Sequence, residues 1–152
     1  MKQILQKIVN TLEGQWLSQK TIYDLINKKM DVQNSNINIS LIKFTNISVN
    51  LAYICEYKNI NTQKITYNYI TQNQQLPIVG KIEKANNYTV IEYIFKLRDK
   101  KNLKIQYYNK TVLYTEYIYF VNQNFKLSVV IIKKENKYIA VCFLSDIKII
   151  KI

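Results

Sequence analysis

The stretch Thr111-Val-Leu-Tyr-Thr-Glu-Tyr-Ile-Tyr-Phe-Val121, with Asn122-Gln-Asn124 and Phe125-Lys-Leu-Ser-Val-Val-Ile-Ile-Lys133 after it, decides how the chain is read. Both long segments are rich in β-branched and aromatic residues, and three polar residues separate them. That is the pattern of a hairpin. Successive side chains of a strand point to opposite faces. Glu116, Ile118 and Phe120 therefore share one face, and Tyr117, Tyr119 and Val121 take the other.

The period of two continues outward from this hairpin. Toward the C-terminus, Lys134-Glu-Asn136 marks a turn and Lys137–Ile152 a last strand. Toward the N-terminus, strands are predicted over Leu103–Tyr108, Tyr88–Leu97 and Val79–Glu83, with Arg98–Asn102 as a charged hairpin turn. Gln72–Pro77 is the clearest loop, because Pro77 cannot donate to a sheet ladder. Ile65, Tyr67 and Tyr69 alternate after a polar break at Asn59–Thr62, and Ile47, Val49, Leu51, Tyr53, Cys55 and Tyr57 share a face before it. Ile37, Ile39 and Leu41 alternate as well, and Trp16–Leu25 does so loosely.

Only the first residues differ in kind. Ile4, Leu5, Ile8, Val9 and Leu12 recur at helical spacing, so a helix is predicted over about residues 2–12, with Gly14 placed as its C-terminal cap. One helix followed by nine or ten short strands with polar connections points to a sandwich or an up-and-down barrel. Strands joined mostly to their sequence neighbours favour the barrel, and a barrel of eight or more strands has room for one small ligand. The expectation is a single antiparallel β-barrel domain over residues 1–152, mainly β, with an N-terminal helix.

Composition narrows the chemistry. The chain has 152 residues, two Gly and one Pro, and 48% of it is apolar, which excludes collagen-like, linker-like and disordered readings. It contains no histidine, so a histidine-based nucleophilic triad and an ordinary zinc site are both excluded. No metal is expected. Two glycines cannot build a phosphate cradle, and no P-loop or dinucleotide fingerprint is present. Cys55 and Cys142 lie far apart and read as small buried hydrophobes. The first ten residues are too short and too polar to form a signal peptide or a membrane span.

The net charge of +12 rests almost wholly on lysine, with Arg98 the single arginine. Lys, Asn, Ile and Tyr all have AT-rich codons, so codon drift accounts for part of it. An anionic partner accounts for the rest: a nucleic acid, a carboxylate ligand or an acidic protein. Among the scattered carboxylates, Glu116 stands out in mid-strand among aromatics. Two placements are open for it, a solvent-facing outer carboxylate or one aimed into an aromatic pocket, where it would exchange protons with a ligand.

Two stretches resemble one family. Glu13-Gly-Gln-Trp-Leu-Ser-Gln-Lys-Thr21 is similar to the Gly-x-Trp-x-Ser-Gln-Arg-Thr strand of the S-type phycobiliprotein lyases. Glu116-Tyr-Ile-Tyr-Phe120, Asn124-Phe-Lys-Leu-Ser128 and Phe143-Leu-Ser-Asp-Ile-Lys148 resemble that family's Glu-Arg-x-Trp-Phe, Pro-Asn-Leu-Arg-x-Arg and Phe-x-Ser/Thr-Glu-Ile/Val-Arg sequence. The resemblance implies a lipocalin-like barrel of ten strands. It implies an enzyme that holds a phycobilin (phycocyanobilin or phycoerythrobilin) without a covalent bond and delivers it to a cysteine of an apo-phycobiliprotein as a thioether.

By the same resemblance, Glu116 is the proton partner of the linear tetrapyrrole. Lys126 stands at a family arginine position and pairs with a propionate, Lys20 stands at the arginine of the entry strand, and Lys20, Trp16, Ser18, Tyr119 and Asn124 belong to the bilin site. Trp16 has a second reading as a plug at the barrel base. The chain departs from the pattern where Lys20, Lys126, Ser128 and Lys148 replace arginines, Tyr119 replaces a tryptophan and Gln123 replaces a proline. Lysine lacks the bidentate fork of arginine, so a lyase that depends on a homodimer or a related lyase subunit is one expectation. A non-catalytic carrier of a bilin or another hydrophobic carboxylate is the alternative, ahead of a binder of single-stranded nucleic acid. An AT-rich product without a leader fits the plastid stroma or a cyanobacterial-type cytoplasm. Neither a membrane nor a nucleic acid is expected as a partner.

Overall fold

The computed structural model describes residues 4–42, 51–58 and 62–150. One helix, α1 (Ile4–Thr11), precedes ten strands. These are β1 (Gly14–Asp24), β2 (Lys29–Ile42), β3 (Leu51–Tyr57), β4 (Gln63–Thr71) and β5 (Ile78–Ala85). Then follow β6 (Val90–Leu97), β7 (Asn102–Asn109), β8 (Val112–Asn122), β9 (Phe125–Lys134) and β10 (Lys137–Lys148). Every strand pairs antiparallel with its sequence neighbours, and β1 pairs with β10, so the sheet closes into a barrel with no free edge.

The strand order follows the sequence reading closely, with four differences. β2 begins at Lys29, well before the alternation of Ile37, Ile39 and Leu41. The last strand stops at Lys148 rather than running to Ile152. The alternation at Ile47 and Val49 and most of the Asn59–Thr62 break lie outside the described residues. Gly14 does not cap α1. The helix ends at Thr11, and Gly14 opens β1 at φ 137°, a conformation that a side chain disfavours. The last helical carbonyls are satisfied by side chains from the sheet instead. The Trp16 indole N–H donates to the Leu12 carbonyl at 2.8 Å, and the Lys148 ammonium donates to the Thr11 carbonyl. A cation at that end also complements the helix dipole.

These contacts seat α1 across one end of the barrel. Leu5, Val9 and Leu12 join Trp16, Ile39, Leu51, Ile78, Phe95, Leu97 and Leu103 in one buried cluster. The apolar stripe of a short amphipathic helix is thereby spent on closing the barrel. Gly80 sets the packing beside it, because a Cβ there would stand 2.1 Å from the Ile70 carbonyl oxygen. No helix among the described residues is long and apolar enough to cross a membrane.

Candidate active site

Alternation carries a second set of side chains inward, beyond the helix plug. They line a cavity of about 400 Å³, within the roughly 300–1,000 Å³ usual for small-molecule sites. Its walls are unusually rich in tyrosine: Tyr53, Tyr57, Tyr67, Tyr69, Tyr93 and Tyr114. Tyr53 and Tyr67 stack at 5.2 Å, and the Tyr53 and Tyr69 hydroxyls meet at 3.0 Å. Apolar ring faces with polar tips suit a ligand that has a flat conjugated body and a polar edge.

Glu116 points into this cavity, so the inward placement is the correct one of the two. The Tyr114 hydroxyl, two residues earlier on the same face of β8, donates to its carboxylate at 3.1 Å. Burial raises the Glu116 carboxyl above its ordinary range, and the Tyr114 bond and the Lys126 charge offset that only in part. The nearby Asp146 carboxylate pushes it further up, and Lys84 pulls it down. Glu116 therefore holds its proton more tightly than an exposed glutamate, with two ammonium groups near enough to stabilise the anion once the proton leaves.

Closure of the barrel builds a second acidic point. Ser18 on β1 lies opposite Asp146 on β10, which lies opposite Lys126 on β9. Asp146 is buried, and its Oδ2 stands 3.7 Å from the Lys126 ammonium. Its Oδ1 is buried with no hydrogen-bond partner. A buried carboxylate oxygen without a donor is costly. Asp146 is one of the residues that line the cavity.

The expected site residues divide sharply. Glu116, Lys126, Lys20 and Ser18 all line the cavity. Trp16 does not. It is buried in the plug, with the Lys126 and Lys148 ammonium groups each 5.2 Å from its ring, which is the second of its two readings. Tyr119 is 42% exposed on the outer face of β8, three residues out of phase with Glu116, and is no part of the cavity. Asn124 belongs to the β8–β9 turn. Its N–H donates to the Asn122 side-chain oxygen at 2.8 Å and its carbonyl accepts the Lys148 N–H, so it is a turn residue, not a pocket residue.

Asp146, Lys84, Tyr114 and Cys55 are among the cavity residues that the sequence did not assign to the site. Asp146 stands at the acidic position of the Phe-x-Ser/Thr-Glu pattern, which was a usable signal. Lys84 had none. Cys55 and Cys142 are both free and buried, as their reading as small hydrophobes requires. Burial pushes the Cys55 thiol up to about 12, so it stays protonated at neutral pH. Among the described residues no three His, Cys, Asp or Glu side chains gather to hold a metal ion.

Two curated relatives align along nearly the whole chain. A chromophore lyase CpcS/CpeS homologue from Gracilaria tenuistipitata var. liui is 36% identical over 152 residues, covering 97% of both chains. A second such homologue, from Porphyra purpurea, is 30% identical over 149 residues, covering 90% of this chain and 93% of its own. Among solved structures, the S-type phycobiliprotein lyase CPES from Guillardia theta superposes with a TM-score of 0.73 at 12% identity. That match covers 97% of this chain and 94% of the lyase. A protein of unknown function from Nostoc punctiforme superposes with a TM-score of 0.62 at 9% identity, over 93% of this chain and 49% of that one. No protein-family model matches the chain.

Proposed function

This chain belongs to the CpcS/CpeS family of chromophore lyases, the S-type bilin lyases, and we propose that it binds a phycobilin non-covalently in the barrel and hands it to a cysteine of an apo-phycobiliprotein. The observation that carries the reading is the pair of carboxyl groups facing one tyrosine-lined cavity. Burial strengthens the hold of Glu116 on its proton, and Asp146 keeps a buried oxygen without a hydrogen-bond partner.

Each feature meets a part of a linear tetrapyrrole. The tyrosine and isoleucine walls take its conjugated body. Asp146 Oδ1 accepts a pyrrole N–H, held in position by Lys126. Glu116 gives its proton to the basic ring nitrogen, and the resulting carboxylate keeps the bilin cationic. A cationic bilin has a more electrophilic ring A ethylidene. The client's thiolate adds there: a C–S bond forms, the tetrapyrrole takes up a proton, and nothing leaves. The protein's own Cys55 lines the same cavity without competing, because it is a thiol rather than a thiolate at neutral pH. Work in the plastid stroma, on a phycobiliprotein client, fits the red-algal relatives.

The test is co-production of the chain with an apo-phycobiliprotein subunit and bilin-making enzymes, read as zinc-induced fluorescence of the client on a denaturing gel. Covalent colour on the client that requires this chain supports the lyase reading. A bilin retained by the chain with no covalent colour on the client would point to a carrier, or to a lyase that needs a partner subunit. No bilin on either protein would sink the proposal.

A further inference from the structure

Three lysines line the cavity: Lys20, Lys84 and Lys126. The sequence pattern singles out Lys126 as the anchor for a propionate. In the structure its charge is already engaged, by Asp146 at 3.7 Å and by the Trp16 ring at 5.2 Å. A propionate arriving there would have to compete with a buried carboxylate on the neighbouring strand.

Lys84 is placed differently. It is half-buried on β5, its ammonium 5.9 Å from the ring centres of both Tyr67 and Tyr93. The two ion pairs among the described residues, Lys81–Glu92 and Lys126–Asp146, do not include it. Burial makes its charged form costly, Glu116 relieves that in part, and Lys20 adds to it. A cation held between two rings, partly desolvated and without an ion pair, is a site for an anion.

Its position in the barrel matches the shape of the ligand. In the closed order β1-β10-β9-β8-β7-β6-β5-β4-β3-β2, β5 stands diametrically across from β10. Lys84 therefore faces the wall that carries Asp146. In any pyrrole, substituents on the β carbons point away from the nitrogen, so the propionates and the N–H groups of a tetrapyrrole's middle rings lie on opposite edges. A cavity with an acceptor on one wall and an unpaired ammonium on the other suits that polarity.

We propose that Lys84 takes a propionate of the tetrapyrrole, and that Lys126 serves instead to position Asp146. This assignment rests on the bilin reading and says which residue anchors the acid edge. It also offers a physical account of Ser128, where the family pattern has a cation and this chain has none. The counter-charge comes from the opposite side of the barrel.

The experiment titrates the purified full chain with phycocyanobilin and, separately, with its dimethyl ester, following the absorbance change on binding. The ester keeps the ring system and removes both negative charges. Parent, Lys84→Met, Lys84→Arg and Lys126→Met are compared, and the readout is the ratio of ester to diacid Kd. The parent is expected to prefer the diacid by about tenfold or more, as a charge-assisted pair predicts. Lys84→Met should abolish that preference, Lys84→Arg should retain it, and Lys126→Met should leave the ratio intact. A ratio that survives in Lys84→Met, or vanishes in Lys126→Met instead, overturns the assignment while leaving the bilin reading in place. A parent that binds neither form overturns the bilin reading, and Lys84 falls with it.

Discussion

Glu116 and Cys55 share the cavity, and burial drives both toward the neutral form, with opposite consequences. A neutral Glu116 is a proton donor; a neutral Cys55 is inert. The sign of the Glu116 effect on stability follows from linkage. Its folded-state affinity for a proton exceeds that in the unfolded chain, so the folded state binds more protons, and stability falls as pH rises through the ordinary glutamate range and above. Glu116→Gln removes that titration. The melting temperature of the variant should therefore decline less than the parent's between about pH 5 and pH 8, measured by calorimetry, whereas transfer of the bilin to a client should drop by roughly 10²-fold or more.

For Cys55, a rise from 9.0 to about 12 lowers the thiolate fraction about a thousandfold at a given pH. Alkylation of Cys55 at pH 8, followed by mass spectrometry, should be slower in the native chain than in the urea-unfolded chain by about that factor. Equal rates would remove the reason given for the lyase not labelling itself. At this scale alternation places Glu116 on the face of Ile118 and Phe120 but leaves open whether that face points inward; only the closed barrel decides it. Tyr119 follows from the same phase. Its place in the family pattern suggested the pocket, but its odd phase puts it on the face opposite Glu116, which is the outer one. Lys84, and its placement across from Asp146, was illegible for a different reason. Only when β1 closes on β10 do β5 and β10 become opposite walls of one cavity.

Among the elements, order was readable throughout the described chain, because polar turns interrupt a sustained period of two, but the extent of β2 was not, since its mostly polar, exposed first half carries little apolar pattern. How the helix ends was not. Gly14 looks like a cap from its position, yet the caps are Trp16 and Lys148, and the Lys148 contact spans almost the whole sequence. A cap supplied by the last strand leaves no local signal. Two substitutions test the packing of these elements. Gly80→Ala forces a methyl against the Ile70 carbonyl oxygen at 2.1 Å, so β4 and β5 must part. The expected loss is about 3 kcal/mol or more in urea denaturation. Trp16→Ala removes the plug and the bond to Leu12, with an expected loss of about 3–5 kcal/mol. A loss under about 1 kcal/mol at either site would contradict the packing described.

For the whole molecule, the sign of the charge matters as much as the cavity. A chain of +12 attracts acidic partners over a range set by salt. If the client surface is acidic, the rate of bilin transfer at sub-saturating client should fall as ionic strength rises from about 20 to 200 mM, while the bilin already in the barrel is retained. A rate indifferent to salt would assign the charge to codon drift. Closure of the sheet is what turns a set of alternating strands into one enclosed site, and that site brings the Glu116 and Asp146 carboxyl groups to one cavity.

The most direct test of that claim is the absorbance spectrum of phycocyanobilin bound to the purified chain across a pH series, parent against Glu116→Gln. Protonation of a bilin shifts and strengthens its long-wavelength band. The bound bilin is expected to stay in the protonated form at neutral pH in the parent and to revert to the neutral form in Glu116→Gln, with binding retained. A parent spectrum matching the neutral bilin at pH 7, or one unchanged by Glu116→Gln, would contradict it.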